Sequence, residues 1–399
     1  MSHFAREDAW PDPMSMTDLH HAERLWRVHH DDLAILDTRD RRRALAPRKG
    51  RDFASNDYLA LAGAARLRDA ITAAIARGVP AGSGGSRLLR GNDPEHEALE
   101  AEAAAWAGSE SALFLGSGYA ANVALLSTLP QTGDLIIHDE LIHASMHEGL
   151  RLSRATAVAV PHNDADAFAD AARQWHARGE RGRIWLVFES LYSMDGDRAP
   201  LADLVAIAER HDAVMVIDEA HATGVFGRGG RGLVADLPVP LDGRPDTIVL
   251  RTCGKALGAE GALICAPAVV RDFLINRGRP FIFSTAPSPL MAAAVREAIR
   301  ICVDEPERRA QLAALSAQAA HVLGPLGAAA TGTQILPMIL GEDARAMRVA
   351  AALQAAGFDV RGIRPPTVAP GTARLRVSLT LNCQPTDVDA LAHALEGAL

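Results

Sequence analysis

The sequence predicts an α/β protein: a mostly parallel sheet covered on both faces, followed by a smaller C-terminal α/β unit. Three observations carry this. Short apolar runs recur at Ala112–Leu115, Leu135–His138, Ala157–Val160, Ile184–Phe188, Val214–Ile217, Thr247–Leu250 and Ala262–Cys265, and strands that are apolar throughout are what a doubly covered sheet requires. Helical patterns such as Leu201–Arg210 separate several of them, giving a βαβ rhythm. At 399 residues the chain also exceeds what one core fills, so more than one domain is expected. The expected division is a leader and helix over 1–51, a large domain over 52–289 and a small domain over 290–399.

In chain order, Met1 to about Met16 lacks periodicity and reads as a loose leader. Thr17-Asp18-Leu19 reads as the cap of a helix running to about Thr38, with Leu19, Leu25, Trp26, Leu33 and Leu36 able to share one side. Arg39, Arg41, Arg42, Arg43, Arg48, Lys49 and Arg51 follow closely, either a solvated charge run or a mouth for an anionic substrate. A turn at Phe53–Tyr58 precedes helix Ala64–Ala76, and Gly82–Arg87 is a loop rich in backbone N–H groups. Helix Pro94–Gly108 leads to the first buried strand, which runs into Gly116-Ser117-Gly118-Tyr119-Ala120-Ala121-Asn122, the opening of a helix to Leu129. Ser284–Pro289 interrupts the rhythm before a long helix, Leu290 to about Val303, continuing after Pro306 to Leu323. The last unit has strands near Ile335–Leu340, Phe358–Arg361 and Ala373–Ser378, with helices Ala344–Ala356 and Pro385–Leu395.

A net charge of -8 and a pI near 6.0 argue against nucleic acid or an anionic membrane as the main partner, since both need a basic face. Small molecules or proteins remain. Cys253, Cys265, Cys302 and Cys383 form no CxxC pair, so they read as buried thiols of a reducing compartment and no metal site is expected. No apolar run reaches the ~18 residues of a membrane span and Met1–His20 has no signal-peptide core. The expected location is the cytoplasm.

Chemistry is signalled most strongly at Thr252-Cys253-Gly254-Lys255, because Lys255 is one of two lysines against 39 arginines. A guanidinium stays protonated, whereas a lysine amine can be deprotonated and attack a carbonyl to form a Schiff base. Val214–Ile217 delivers Asp218 at its end and His221 three residues later. A carboxylate there needs a cation such as a protonated pyridine nitrogen, a helix cap and a metal ligand being the other possibilities. Gly116-Ser117-Gly118 at a strand-to-helix turn suits a phosphate, held by N–H groups and the helix dipole. With Ala121 it also fits the dinucleotide pattern G-x-G-x-x-A, which keeps a nicotinamide enzyme open, its acidic partner being Asp134 or Asp139. In open sheets ligands bind beyond the carboxyl ends of the strands, where these residues fall. A phosphate turn, a strand-end acid and a strand-end lysine together form the set that pyridoxal 5'-phosphate uses. His143 could stack on such a ring.

Ser55-Asn56-Asp57-Tyr58-Leu59, Gly82–Ser86, Ser193-Met194-Asp195-Gly196-Asp197, Asp218–His221, Thr252–Lys255, Ile363–Val368 and Gly371–Arg376 together resemble the α-oxoamine synthases. These are pyridoxal-phosphate enzymes of fold type I, the aspartate aminotransferase fold, with a seven-stranded, mostly parallel sheet. The resemblance points to the branch that condenses L-alanine with a pimeloyl thioester for biotin synthesis. Sister enzymes use glycine or serine with another acyl group. It implies that Lys255 holds the cofactor and moves the Cα proton, Asp218 pairs with the ring nitrogen, His221 with the ring oxygen, and His143 lies over the ring. Gly118, Tyr119, Ser193 and Thr252 would surround the phosphate end. Asn56 and Arg364 would take the amino-acid carboxylate, Thr367 would touch substrate, and one arginine of 41–43, taken as Arg41, would meet the acyl substrate. A homodimer is implied, with Ser284 and Thr285 reaching the neighbour's phosphate, and the thioester could ride on coenzyme A or acyl carrier protein. Ala222 departs from the glycine usual after this histidine.

Overall fold

The computed structural model describes residues 24–399. The leader, the Thr17 cap and Leu19 lie outside the described residues. Helix α1 (Arg27–Thr38) buries no residue, and Leu25, Trp26 and Leu33 are exposed. The apolar side expected of it is therefore not covered by the described chain.

The centre is a seven-stranded sheet of β2 (Ser111–Leu115), β3 (Leu135–Asp139), β4 (Thr156–Val160), β5 (Ile184–Glu189), β6 (Val214–Asp218), β7 (Thr247–Thr252) and β8 (Ala262–Ala266), ordered β2-β8-β7-β6-β5-β3-β4. All neighbours are parallel except β8, which runs antiparallel to both β2 and β7. Alternate side chains feed two cores. Leu113, Ile136, Val187, Val216, Ile248 and Ile264 pack on one face with Leu125 of α4 (Gly118–Thr128) and Met146 of α5 (Ala144–Leu152). Phe114, Ile137, Phe188, Ile217, Val249 and Leu263 pack on the other with Leu99 of α3 (Pro94–Ala107) and Phe168 of α6 (Ala165–Ala177). Burial on both faces explains why these strands show no polar alternation, the edge strand β4 excepted, where only Val160 is buried. All four cysteines are buried and free, as expected.

The expected long helix is two, Pro289–Asp304 and Pro306–Leu323, broken at Glu305 because the residue before proline is disfavoured in helical geometry. The expected strand Phe358–Arg361 is also two. Phe358–Asp359 (β10) pairs in parallel with Arg51–Asp52 (β1), while Arg361–Ile363 (β11) joins Ala373–Ser378 (β12) and Ile335–Gly341 (β9) in an antiparallel sheet ordered β11-β12-β9. The small sheet thus brings β12 beside the Asn56–Tyr58 turn, where Phe53 O accepts from Ser378 N at 3.0 Å and Tyr58 O from Leu381 N at 3.0 Å.

Candidate active site

A cavity of about 140 Å³ lies at the carboxyl ends of β5, β6 and β7, lined by Gly118, Tyr119, Asn122, His143, Ser145, Glu189, Asp218, Ala220, His221, Leu250, Thr252 and Lys255. Glu189, Asp218 and Thr252 are each the last residue of their strand, so strand direction alone delivers their side chains to one rim. Lys255 follows β7 by one tight turn, closed by hydrogen bonds from Gly258 N to Lys255 O and from Ala259 N to Cys253 O, at 2.8 and 2.9 Å. Gly258 has φ +62°, and a Cβ there would come within 2.3 Å of Ala62 N. The lysine turn is thereby seated directly on the chain that follows the Asn56–Tyr58 turn.

Asp218 is held on both oxygens. Asn122 Nδ2 donates to Oδ2 at 2.8 Å and Ala220 N to Oδ1 at 2.7 Å; each oxygen keeps a further lone pair for another donor. The same Asn122 amide donates to Ser145 Oγ at 3.0 Å. Ser145 N and Oγ both lie within reach of His143 Nδ1, at 3.2 and 2.7 Å, so Nδ1 accepts and the ring's hydrogen falls on Nε2. Lys255 Nζ lies 2.6 Å from His221 Nε2. Burial pushes the lysine amine down to about 8, against the pull of Asp218 and Glu189, and burial, then Lys255 and Arg376, holds the His221 imidazole far below its ordinary value. Glu189, beside Asp218 across the parallel pair, has no hydrogen-bond partner on Oε1, and burial followed by the Asp218 charge raises its carboxyl well above the usual range.

The expected residues divide. Gly118, Tyr119, His143, Asp218, His221, Thr252 and Lys255 meet in the cavity. Gly118 opens α4 behind the Ser117 cap, which places free helix N–H groups and the positive dipole end there. Ser193 does not line the cavity, although its carbonyl accepts from Arg376 Nε at 2.6 Å. Asn56 lies beside Arg376, whose Nη2 donates to Asn56 Oδ1 at 3.0 Å. Arg364 instead donates to Arg42 O at 2.9 Å and leaves its Nε without a partner. Of the basic run, Arg41 is paired with Asp343 at 2.7 Å and Arg42 with Asp37 at 2.7 Å, whereas Arg43 Nη2 donates to Thr367 Oγ1 at 3.3 Å. Ser284 and Thr285 are exposed. The acids weighed for a dinucleotide are both engaged elsewhere. Asp134 accepts from Gln131 N, Arg183 N and Trp185 Nε1, and Asp139 from Leu141 N, Asn163 N and the His162 ring. Neither lines the cavity, so the glycine turn lacks there the acidic partner that the dinucleotide pattern calls for.

Sequence reasoning assigned no role to Tyr58, Asn122, Ser145, Glu189 or Arg376. Two signals were available: Asn122 is four residues past Gly118, hence on the same helix face, and Glu189 ends a buried strand. An amine facing an anchored carboxylate, a helix N-terminus and an imidazole fit an aldehyde, a pyridine nitrogen, a phosphate and a ring oxygen respectively.

The chain matches the family model for aminotransferase class I and II over residues 48–395. It is 42% identical to the 8-amino-7-oxononanoate synthase of Anaeromyxobacter dehalogenans strain 2CP-1, over 92% of this chain and 94% of that one. It is 42% identical to that of Methylobacterium radiotolerans over 88% and 90%. Among solved structures, Sphingomonas wittichii serine palmitoyltransferase superposes with a TM-score of 0.83 at 28% identity, covering 97% of this chain and 98% of that one. The 8-amino-7-oxononanoate synthase of Francisella tularensis gives 0.73 at 26%, covering 87% and 97%. Another serine palmitoyltransferase, solved with pyridoxal phosphate, gives 0.81 at 26% identity, covering 87% and 86%. Both the cavity's donor set and these likenesses lead to one conclusion: the chain belongs to the class I and II aminotransferase family, as a pyridoxal-phosphate enzyme of its α-oxoamine synthase branch.

Proposed function

We propose that the chain condenses L-alanine with a pimeloyl thioester, releasing carbon dioxide and the thiol carrier and forming 8-amino-7-oxononanoate. The single observation that carries this is the meeting of Lys255, His221 and Asp218 in one cavity, in a chain so similar to 8-amino-7-oxononanoate synthases. Bound there, pyridoxal phosphate supplies an electron-withdrawing ring that makes the amino acid's Cα proton acidic. Asp218, fixed by Asn122 and the Ala220 N–H, keeps a proton on the ring nitrogen. Lys255 is the base: with its amine brought down to about 8, a minority but ready fraction is neutral at physiological pH, and the group is close enough to that pH to return the proton later. His143, with its hydrogen on Nε2, donates to the oxygen that gains charge when the thioester carbonyl is attacked.

Arg376 with Asn56 takes the amino-acid carboxylate in this scheme, the two being joined at 3.0 Å next to His221. Arg364, first expected in that role, lies with Arg43 and Thr367, and we assign these three to the acyl end instead. Burial and then the Arg43 charge lower the Arg364 guanidinium from its ordinary value, and the anionic end of a pimeloyl group between the two would relieve both. The enzyme works as a cytoplasmic homodimer, with the exposed Ser284 and Thr285 contributing to the neighbour's phosphate site. Borohydride reduction followed by peptide mapping must label Lys255. L-alanine with pimeloyl thioester must then outperform glycine or serine with acetyl or longer acyl thioesters; preference for glycine with acetyl would assign the chain to a sister enzyme, and labelling elsewhere would refute the site. Parallel assays with coenzyme A and acyl carrier protein thioesters identify the carrier.

A further inference from the structure

Tyr58 has no part in the steps above, yet it is fully buried and its phenol joins the two halves of the site. Tyr58 Oη lies 2.6 Å from His221 Nδ1, 2.9 Å from Asn56 Oδ1 and 3.3 Å from Arg376 Nη2. Beyond the imidazole, His221 Nε2 faces Lys255 Nζ at 2.6 Å.

Counting hydrogens restricts what these contacts can be. A guanidinium only donates, an amide oxygen only accepts, a phenol has one hydrogen, and a neutral imidazole has one donor and one acceptor nitrogen. Arg376 Nη2 serves Asn56 Oδ1 at 3.0 Å and Tyr58 Oη at 3.3 Å with its two hydrogens. Asn56 Oδ1 accepts one of these and keeps a second lone pair, but His221 Nδ1 is the nearer acceptor, at 2.6 Å against 2.9 Å, and takes the phenolic hydrogen. A phenol that receives a hydrogen bond from a cation is in turn a better donor. With Nδ1 accepting, the imidazole's own hydrogen sits on Nε2, the nitrogen aimed at the cavity, and the Lys255 nitrogen 2.6 Å away accepts it in unprotonated form, the form a lysine has when neutral or joined to the cofactor's aldehyde. The groups facing this ring, Lys255, Arg376 and His143 together with the carboxyls of Asp218 and Glu189 across the cavity, do not offer Nδ1 another partner. Gln334 Nε2 binds the main-chain oxygen of His221 at 2.8 Å and steadies the backbone, leaving the ring to Tyr58.

We propose that Tyr58 is a positioning residue that fixes His221 in its Nε2–H form, so that this histidine meets the oxygen of the cofactor ring as a hydrogen-bond donor. The inference deepens the function proposed above and relies on it only for the group that His221 faces. Its first test needs neither substrate nor turnover. In holoenzyme labelled with 15N-histidine, long-range 1H–15N correlation reports the protonated ring nitrogen, with His221 assigned by the signal missing from His221→Gln. The expected result is Nε2–H in the wild type and loss of that preference in Tyr58→Phe; Nδ1–H in the wild type overturns the proposal. In the holoenzyme, a donor on the ring oxygen stabilises its negative charge, so Tyr58→Phe should raise the pH midpoint of the lysine–cofactor absorbance. The expected rise is about half to one unit, the size of one neutral hydrogen bond. An unchanged midpoint in a folded Tyr58→Phe protein also overturns it. Should that variant fail to fold, the wild-type spectrum still decides, and since no reaction is monitored, failure here is distinct from a wrong substrate.

Discussion

Behind the cavity, Arg251 ties together the ends of the two strands that carry Asp218 and Lys255, and replacing it with methionine is a test whose size and pH dependence can be worked out. Arg251 is fully buried, donating from Nη1 to Glu219 Oε2 at 3.0 Å and from Nη2 to Asp242 Oδ1 at 2.7 Å, with its guanidinium 5.3 Å from the Trp106 ring. Methionine fills much of the same volume but leaves the buried Glu219 without a cation and Asp242 with only Arg231, at 3.8 Å, and breaking one side of a buried ion pair costs about 3–5 kcal/mol. At about 2.1 cal/mol/K per residue the unfolding entropy of a 399-residue chain converts that into a Tm fall of about 4–6 °C. The sign with pH follows from Glu219. Burial pushes its carboxyl from 4.5 up to about 7 even with Arg251 present, so the folded state binds the extra proton. Its contribution is most favourable below about 4.5 and is lost as pH rises through 7. Removing Arg251 raises that carboxyl further and extends the window upward. Arg251→Met should therefore lose more Tm relative to wild type at pH 8.5 than at pH 6, measured by calorimetry at both. A loss equal at the two pH values, or no loss at all, would refute the idea that the cluster is held by charge.

His162 gives a second pH signature. Burial depresses its imidazole, but the carboxylates of Asp139 and Asp197 at 3.0 and 2.8 Å outweigh this and push it up to about 10; its stabilisation is complete below 6.5 and lost as pH rises through 10. Wild type should thus lose more Tm than His162→Gln between pH 7 and pH 10.5. Asn122→Leu removes a hydrogen bond to the Asp218 charge, worth about 1.5–3 kcal/mol, and should weaken cofactor binding roughly 10- to 100-fold by absorbance titration. Gly258→Ala would force a side chain into the left-handed region and onto Leu61 and Ala62, costing about 1–3 kcal/mol in backbone strain alone. It should displace Lys255, seen as slower borohydride labelling in a protein whose circular dichroism is unchanged.

What could be read from the sequence follows from where each kind of information resides. A doubly covered parallel strand must be apolar throughout, so β2, β3, β5, β6 and β7 were visible, and an acid or lysine at such a strand's end is placed by topology alone. Asp218, Thr252 and Lys255 were therefore legible. The direction of β8 was not, because Ala262–Ala266 is as apolar as the strands running the other way beside it and nothing local encodes which way it runs. Nor was the division of Phe358–Ile363, since the two short strands differ only in their partners, β1 for one and β12 for the other. The choice between Arg364 and Arg376 is of the same kind. Both lie in one basic, proline-containing stretch, and only the pairing of β11 with β12 and the packing of Ser378 on Phe53 bring Arg376 to Asn56 and Tyr58. The groups proposed to transform the substrate sit on the large sheet, where periodicity and strand ends reveal them. The groups proposed to recognise its carboxylate are assembled between the Asn56–Tyr58 turn and β12, more than 300 residues apart. Selectivity for the amino acid must then depend on how the small sheet seats on the large one, so substitutions at that seam should alter KM for alanine while leaving the retention of the cofactor intact.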